Sequence, residues 1–218
     1  MARTELGCSL PPASSVVVCA GGYNDIHGGS YSTFFKGEAW QIDLSAASPS
    51  WTSLPSLTTR RFRFQMASDE FGRYYVPGGY SVTTNLKSVE VLELGGSYTG
   101  TATPASWNDL SPEMPTSRMT SSSVFASGSL YVFGGINGGI GSRTWATTYF
   151  HYDTSTGLWR EVDHSSLIDL SIGERADSGC RLHGNGCGDA IWYTPGVGVS
   201  VFVPMNNSAV ILRTIITL

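Results

Sequence analysis

One spacing recurs along the chain and limits what it can fold into. Glycine pairs lie 57 and 56 residues apart, tryptophans follow at intervals of 56 and 52, and arginines occur at intervals of 57, 58 and 57. The glycine pairs are Gly21-Gly22, Gly78-Gly79 and Gly134-Gly135; the tryptophans are Trp51, Trp107 and Trp159; the arginines are Arg3, Arg60, Arg118 and Arg175. Three residue types that keep one period predict about four copies of one structural unit.

Each copy has the same internal order. After the arginine come a short strand and a turn, then an apolar strand that ends at the glycine pair. A polar loop, a third strand that ends in an acid, a turn and the tryptophan strand follow. The second strands are expected at 16–20, 74–77 and 130–133, and the third strands at 39–43, 89–93 and 149–153. Four short strands joined by turns predict a four-stranded antiparallel sheet, and no useful helical periodicity interrupts them.

The recurring residues suit this interpretation physically. Paired glycines let the backbone adopt positive φ and leave room where neighbouring sheets converge. A tryptophan can fill the wedge between adjacent sheets while its indole N–H finds one acceptor, so all three tryptophans are expected to be buried there. The arginine can fix the entry to each unit by hydrogen bonds to carbonyls or to a carboxylate.

The order of arginine, strand, glycine pair, strand ending in tyrosine and aspartate, and tryptophan resembles the kelch repeat. The period from Arg118 to Trp159 matches best, with an apolar strand before Gly134-Gly135 and with Tyr152-Asp153 in its third strand. The fourth period is degenerate, because residues 191–196 stand where the glycine pair belongs and no tryptophan follows. The resemblance implies an all-β fold, a kelch-type β-propeller or partial propeller. It forms one region over residues 1–218, with blades at about 3–59, 60–117, 118–174 and 175–218.

The number of blades raises the question of closure. Propellers of this kind usually close with roughly six or seven blades, and an open arc would leave two apolar faces bare. Three explanations stay open: the chain is part of a longer propeller, a second copy or another subunit completes the ring, or four wide blades close by themselves. The first two are favoured, so the isolated chain is expected to self-associate or to aggregate.

The four cysteines form two local pairs, Cys8 with Cys19 and Cys180 with Cys187. Such spacing is compatible with two hairpin disulfides and an oxidising compartment, and the alternative is four buried thiols that pack as small apolar residues. Disulfides are the favoured reading, which predicts an extracellular or secretory location. Free cysteines would indicate the cytoplasm.

Charge and catalytic motifs exclude several functions. Net charge is −4 and no basic run occurs, which argues against nucleic acid, and no apolar stretch reaches the length of a membrane span. No phosphate-binding loop, nucleophile elbow or zinc-protease motif is present, so no cofactor and no catalytic residue are predicted. His183 between Cys180 and Cys187 supplies three zinc ligands at most, and a disulfide is favoured there.

Binding through loops is the favoured function, with a protein partner or a carbohydrate as ligand. In kelch propellers one face is built from the loops between second and third strands, here residues 23–36, 80–87 and 136–145, and from the linkers between blades. The candidate binding residues on this face are Tyr23, Asn24, Asp25, His27, Arg61, Arg63, Asn137 and Arg143. Arg61 and Arg63 are singled out because they fall outside the arginine series, whereas Arg118 and Arg175 are expected to tie blades together. The alternative is part of a copper radical oxidase resembling galactose oxidase, whose site needs two histidines and two tyrosines, or another carbohydrate-active propeller enzyme.

Overall fold

The computed structural model of this chain is all-β, and its strands pair antiparallel. The structure describes residues 3–12, 14–24, 34–94, 106–138, 144–146, 148–163, 190–194, 198–205 and 208–213. Apart from Phe34, none of these residues is in a helix. Cys180, Cys187 and Arg175 lie outside them, so the second cysteine pair and the fourth arginine stay predictions.

Three sheets of four strands follow one another along the chain. The first contains β1 (Gly7–Ser9), β2 (Val16–Ala20), β3 (Ala39–Asp43) and β4 (Thr52–Leu54). The second contains β5 (Ala67–Ser68) and β6 (Arg73–Pro77), followed after the hairpin β7 (Tyr80–Ser81) and β8 (Thr84–Asn85) by β9 (Val89–Glu93) and β10 (Asn108–Asp109). The third contains β11 (Ser122–Ala126) and β12 (Ser129–Phe133), followed after the hairpin β13 (Ile136–Asn137) and β14 (Thr144–Trp145) by β15 (Thr148–Asp153) and β16 (Leu158–Asp163).

These sheets confirm the predicted fold class at the level of four-stranded antiparallel units. Each of the first three periods forms one such sheet, and the predicted second and third strands match β2, β3 and β9 in full and β6, β12 and β15 to within one residue. Further along the chain, β17 (Ala190–Thr194), β18 (Gly198–Met205) and β19 (Ser208–Arg213) form a three-stranded sheet. Among the described residues the sheets do not close into a ring.

Successive sheets pack face to face. Side chains alternate between the two faces of each strand, so each sheet can contact the sheet before it on one face and the sheet after it on the other. Val18 of the first sheet shares one buried cluster with Val76 and Leu92 of the second. Val91 on the other face of the second sheet shares the next cluster with Phe150 of the third. The first strands of successive sheets are neighbours in space: β1 lies beside β5, β5 beside β11, and β11 beside β17. Each described sheet is therefore followed by the next in the same arrangement.

The glycine pairs lie where one sheet meets the next. All six glycines have positive φ, between 56° and 95°. The amide of Gly22 donates to the carbonyl of Arg61 at 2.9 Å, and a Cβ on Gly21 would lie 2.5 Å from that same oxygen. A side chain at Gly21 would thus collide with the backbone that enters the second sheet.

The tryptophans differ from the expectation of uniform burial. Trp107 is 2% exposed and its indole donates to the carbonyl of Pro55 at 2.9 Å. Trp159 is partly buried against the second cluster and donates to the carbonyl of Pro112 at 2.8 Å. Trp51 is 55% exposed, so its predicted burial is wrong in this structure. The reason is positional: the other two tryptophans pack on the sheet before their own, and no described sheet precedes the first.

Candidate functional site

Isolated β-bridges lie at one end of each of the three sheets, where the loops after the glycine pairs begin. We call this end the loop side. The residue after Arg3 pairs with the residue after Gly22, forming a bridge between Thr4 and Tyr23. The equivalent bridges join Phe62 to Tyr80 and Met119 to Ile136. Each bridge holds the chain entering a sheet against the segment that leaves its glycine pair. The loops expected to bind a ligand therefore start from fixed backbone.

Apolar side chains from these bridges form a small core of their own, which we call the loop-face cluster. Its buried members are Phe35, Phe62, Tyr80, Met119 and Ile136, and Tyr23 packs against it. The rings of Phe35 and Phe62 lie 5.1 Å apart, and those of Phe62 and Tyr80 lie edge to face at 5.6 Å. This cluster was not predicted from the sequence. The available signal was the apolar residue that follows the arginine or the glycine pair in successive periods.

A buried amide links two of the loop hairpins. The Nδ2 atom of Asn85, at the end of β8, donates to the carbonyls of Ile136 at 3.1 Å and of Gly138 at 2.7 Å. Because Ile136 starts β13, this side chain ties the hairpin of the second sheet to that of the third. The two hairpins are thus held as one surface.

Arg61 is a structural residue, and its prediction as a binding residue outside the repeat is wrong. Its side chain is fully buried and pairs with the equally buried Glu90 at 2.6 Å. It also donates to the carbonyls of Gly78 at 2.8 Å and Ser88 at 3.1 Å. Burial lowers the pKa of Arg61, opposed by the negative charge of Glu90. With these partners inside the protein, its guanidinium cannot contact a ligand.

Arg61 rather than Arg60 is the arginine that matches Arg3 and Arg118. Arg3 donates to the carbonyl of Gly21 at 3.2 Å, as Arg61 does to that of Gly78, while Arg60 is exposed. The guanidinium of Arg3 also lies 4.4 Å from the ring centre of Trp40 in β3.

Arg118 repeats the stacking contact at the same place in the third sheet. Its guanidinium lies 4.4 Å from the ring centre of Phe150 in β15, and Glu90 occupies the corresponding position in β9. The repeat arginine therefore ties the entry of each sheet to its third strand, by cation–π contact in the first and third sheets and by an ion pair in the second.

Arg63 belongs to a second repeated position, contrary to the prediction that it falls outside the repeat. Glu5, Arg63 and Thr120 have φ of 56°, 59° and 54°. The amide of Arg63 donates to the carbonyl of Glu5 at 3.2 Å, and that of Thr120 donates to the carbonyl of Arg63 at 2.7 Å. The Arg63 side chain pairs with Glu5 at 3.0 Å and stays partly exposed. It is therefore the one predicted arginine that the described structure leaves accessible on this side.

The remaining candidate binding residues either contact neighbouring residues or lie outside the described part of the chain. Tyr23 is half-buried against Phe34, Phe35 and Phe62, so its ring supports the loop. Asn24 is partly exposed, with its amide bonded to the carbonyl of Phe34 at 3.0 Å.

Asn137 is held by its neighbours, since its Oδ1 accepts from the hydroxyl of Ser117 at 3.1 Å and from the amide of Gly138 at 2.8 Å. Asp25, His27 and Arg143 lie outside the described residues. The structure thus brings Tyr23, Asn24, Arg63 and Asn137 to the loop side and removes Arg61 from it.

The first cysteine pair lies at disulfide distance. Cys8 and Cys19 face each other across β1 and β2 and form a disulfide, as predicted. In the part of the chain that the structure describes, no group of three histidine, cysteine or acidic side chains could hold a metal ion. Likewise, no helix among the described residues has the length and apolar character needed to cross a membrane.

Comparison with known proteins does not assign a family. No family model matches the chain, and no curated protein matches it at a significant level.

Proposed function

We propose that this chain is an arc of kelch-type β-propeller blades that binds a protein partner through its loop side. The propeller assignment is supported by the 57-residue period, by one four-stranded sheet per period, and by first strands that run side by side from β1 to β17. The kelch resemblance rests on the arginine, glycine and tryptophan positions, of which the arginine series shifts to Arg61 in the second blade.

The loop-face cluster is the observation that carries the binding function. Surface loops are usually held weakly, whereas the described parts of these loops are held by bridges, by packed aromatic rings and by Asn85. A surface ordered before binding loses little conformational entropy when a partner docks, which favours affinity. The cluster itself is buried, so it supports the surface and does not contact the partner.

The accessible residues on this side define the proposed contact surface. Val82 is an exposed apolar residue at the tip of the hairpin formed by β7 and β8. Asn24 and Arg63 are partly exposed polar residues on the same side of the sheets, and arginine is enriched in binding hot spots. An exposed apolar tip together with polar residues on the same side suits a protein surface better than a small anion. The Cys8–Cys19 disulfide supports an extracellular or secretory setting for the encounter.

Affinity capture followed by a measured dissociation constant tests the proposal. The immobilised chain is exposed to secreted proteins, and each captured protein is purified and titrated against the wild type and two loop variants, Val82→Asp and Asn24→Ala. We expect each variant to weaken binding at least about tenfold, equivalent to 1.4 kcal/mol. The control is Leu158→Asp, an apolar position on β16 that is 59% exposed, against 39% for Val82. Equal effects of control and loop variants, or a carbohydrate as the sole ligand of this side, would overturn the proposal.

A further inference from the structure

The first sheet carries a face whose counterparts in the next two sheets are covered. Ile42 in β3 corresponds to Leu92 in β9 and to Tyr152 in β15, since each is followed by the acid that ends its strand. Leu92 and Tyr152 are buried against the preceding sheet, and Ile42 is only partly buried. Because side chains alternate along a strand, Trp40 lies on the same face as Ile42. We call Val17, Trp40, Ile42, Leu44 and Trp51 the first-sheet face.

The tryptophan of this face lacks a contact that its counterparts make. Trp107 and Trp159 each donate an indole N–H to a prolyl carbonyl that follows the fourth strand of the preceding sheet, at 2.9 and 2.8 Å. Trp51 occupies the same repeat position, is 55% exposed, and makes no such bond in the described part of the chain. An indole this exposed, beside other apolar residues, marks an unfilled interface.

Leu44 gives a second and independent instance of the same difference. The amide of Leu44 bonds to the carbonyl of Ser15, as that of Leu94 does to Gly72, so the two leucines are equivalent. Leu94 packs against the cluster between the first and second sheets, whereas Leu44 is 54% exposed. Two positions that the repeat covers elsewhere are therefore bare on the first sheet.

We propose that the first-sheet face binds the β17–β19 sheet of a second copy of this chain. The order of first strands is β1, β5, β11 and β17, and each is neighbour to the next. The element that continues this stacking behind β1 is a further sheet of the same kind, and a second copy supplies one as its β17–β19 sheet. If each copy receives the last sheet of the other, two arcs form a closed pair with twofold symmetry. This inference depends on the stacking of the sheets and not on the binding function of the loop side.

Sedimentation equilibrium with matched variants is the first arm of the test. The wild type is expected to dimerise at micromolar concentration, and Trp51→Ser and Leu44→Ser are each expected to weaken dimerisation at least tenfold. Both side chains are exposed, so neither change should unfold the chain, and circular dichroism checks this. The control Phe71→Ser removes an aromatic ring that is 66% exposed in the turn before β6, and it should leave dimerisation unchanged. A monomeric wild type, or association that ignores Trp51 and Leu44, overturns the proposal.

Site-specific photocrosslinking is the second arm and identifies the occupant. A p-benzoylphenylalanine placed at position 51 in a mixture of isotopically labelled and unlabelled chains is expected to link to residues 190–213 of the other copy. The same group at position 71 should give no intermolecular link. Links from position 51 to the first sheet of the other copy, or to its loop side, would contradict the proposed pairing. Capture of a different protein at position 51, with the chain itself monomeric, would do so as well.

Discussion

The amide nitrogen of Gly22 lies 2.9 Å from the carbonyl oxygen of Arg61, and Gly79 makes the same contact with Arg118 at 2.8 Å. The first and second glycine pairs therefore receive the backbone that enters the following sheet. Glycine is required here for two reasons: φ is positive, and the backbone of the following sheet occupies the space that a side chain would need. This explains why glycine pairs recur at the period of the sheets.

Gly21→Ala should destabilise the chain far more than an alanine substitution at a glycine that has positive φ but free space around it. At Gly128, φ is 75° and a Cβ would meet nothing within 4 Å, so Gly128→Ala should cost about 1–2 kcal/mol. At Gly21 the added Cβ would also press on the Arg61 carbonyl, and the total cost should rise to about 3 kcal/mol or more. Urea denaturation of both variants measures the difference. Equal losses would mean that the sheets do not meet at the glycine pair.

Adjacent arginines allow a matched test of the buried ion pair. Arg61→Met leaves Glu90 buried without its partner, and breaking such a pair costs about 3–5 kcal/mol. Arg60→Met changes an exposed neighbour and should alter the free energy of unfolding by less than about 0.5 kcal/mol. If Arg60→Met proved the more damaging variant, the assignment of Arg61 to the repeat position would be wrong.

The sequence predicted the sheets well because their determinants are local. A strand such as Val16–Ala20 is bounded by turn residues on one side and by a glycine pair on the other, and it appears at the predicted residues. The arginine of the second period was misassigned because Arg60 and Arg61 both fit a period near 57, and spacing cannot separate neighbours. Only the contacts with Gly78 and Glu90 identify Arg61.

Burial was harder to predict because it depends on a neighbouring sheet. Trp51 and Trp107 occupy the same place in their repeats, yet one is exposed and the other buried, since only the second has a described sheet before it. Two of the candidate binding residues, Tyr23 and Arg63, lie on the loop side, but each contacts residues of another strand or sheet. Such partners are distant in sequence, and the period alone does not reveal them.

Removing the buried indole should cost more than removing an exposed ring. Trp107→Ala deletes a packed side chain and its hydrogen bond to Pro55, with an expected loss of about 3–5 kcal/mol. Phe71→Ala removes a ring that lies largely in solvent and should change stability by less than about 0.5 kcal/mol. Thermal or urea unfolding of the two variants provides the comparison. A small effect of Trp107→Ala would show that this tryptophan is not packed between sheets.

The first cysteine pair should be measurably stabilising. The disulfide joins residues 11 apart in sequence, and closing a loop of this size contributes about 2–3 kcal/mol. The double variant Cys8→Ala with Cys19→Ala should lose this amount, and a reductant should lower wild-type stability without affecting the variant. Peptide mapping without reduction should recover the linked peptides. Free thiols at both positions in native protein would refute the disulfide.

His151 should make stability depend on pH below neutrality. Burial lowers its pKa from 6.5, Asp153 partly opposes this, and the charge of Arg160 adds to it. The unfolded chain therefore binds a proton at this site more readily than the folded chain does. Stability should be unaffected above pH 6.5 and should decrease as the pH falls from there towards the folded pKa.

The difference between wild type and His151→Gln isolates this contribution. The variant should lose part of the decrease in urea midpoint that the wild type shows between pH 7.5 and 5.5. An unchanged pH profile in the variant would mean that the ring of His151 titrates as freely as in the unfolded chain. A wild type more stable at pH 5.5 than at 7.5, with the variant flat, would reverse the expected sign.

Face-to-face stacking of successive sheets is the central feature of this fold, and aromatic NOEs measure it directly. The rings of Tyr75 in the second sheet and Phe125 in the third are stacked with centres 5.4 Å apart. In protein labelled selectively on tyrosine and phenylalanine, we expect a cross peak between these two rings. A second cross peak is expected from the Trp107 indole N–H to Pro55. The contact between Tyr152 and Trp159, whose ring centres are 4.9 Å apart within one sheet, serves as the internal reference. Intersheet cross peaks alongside the reference would support the stacked arrangement, whereas the reference peak without any intersheet peak would contradict it.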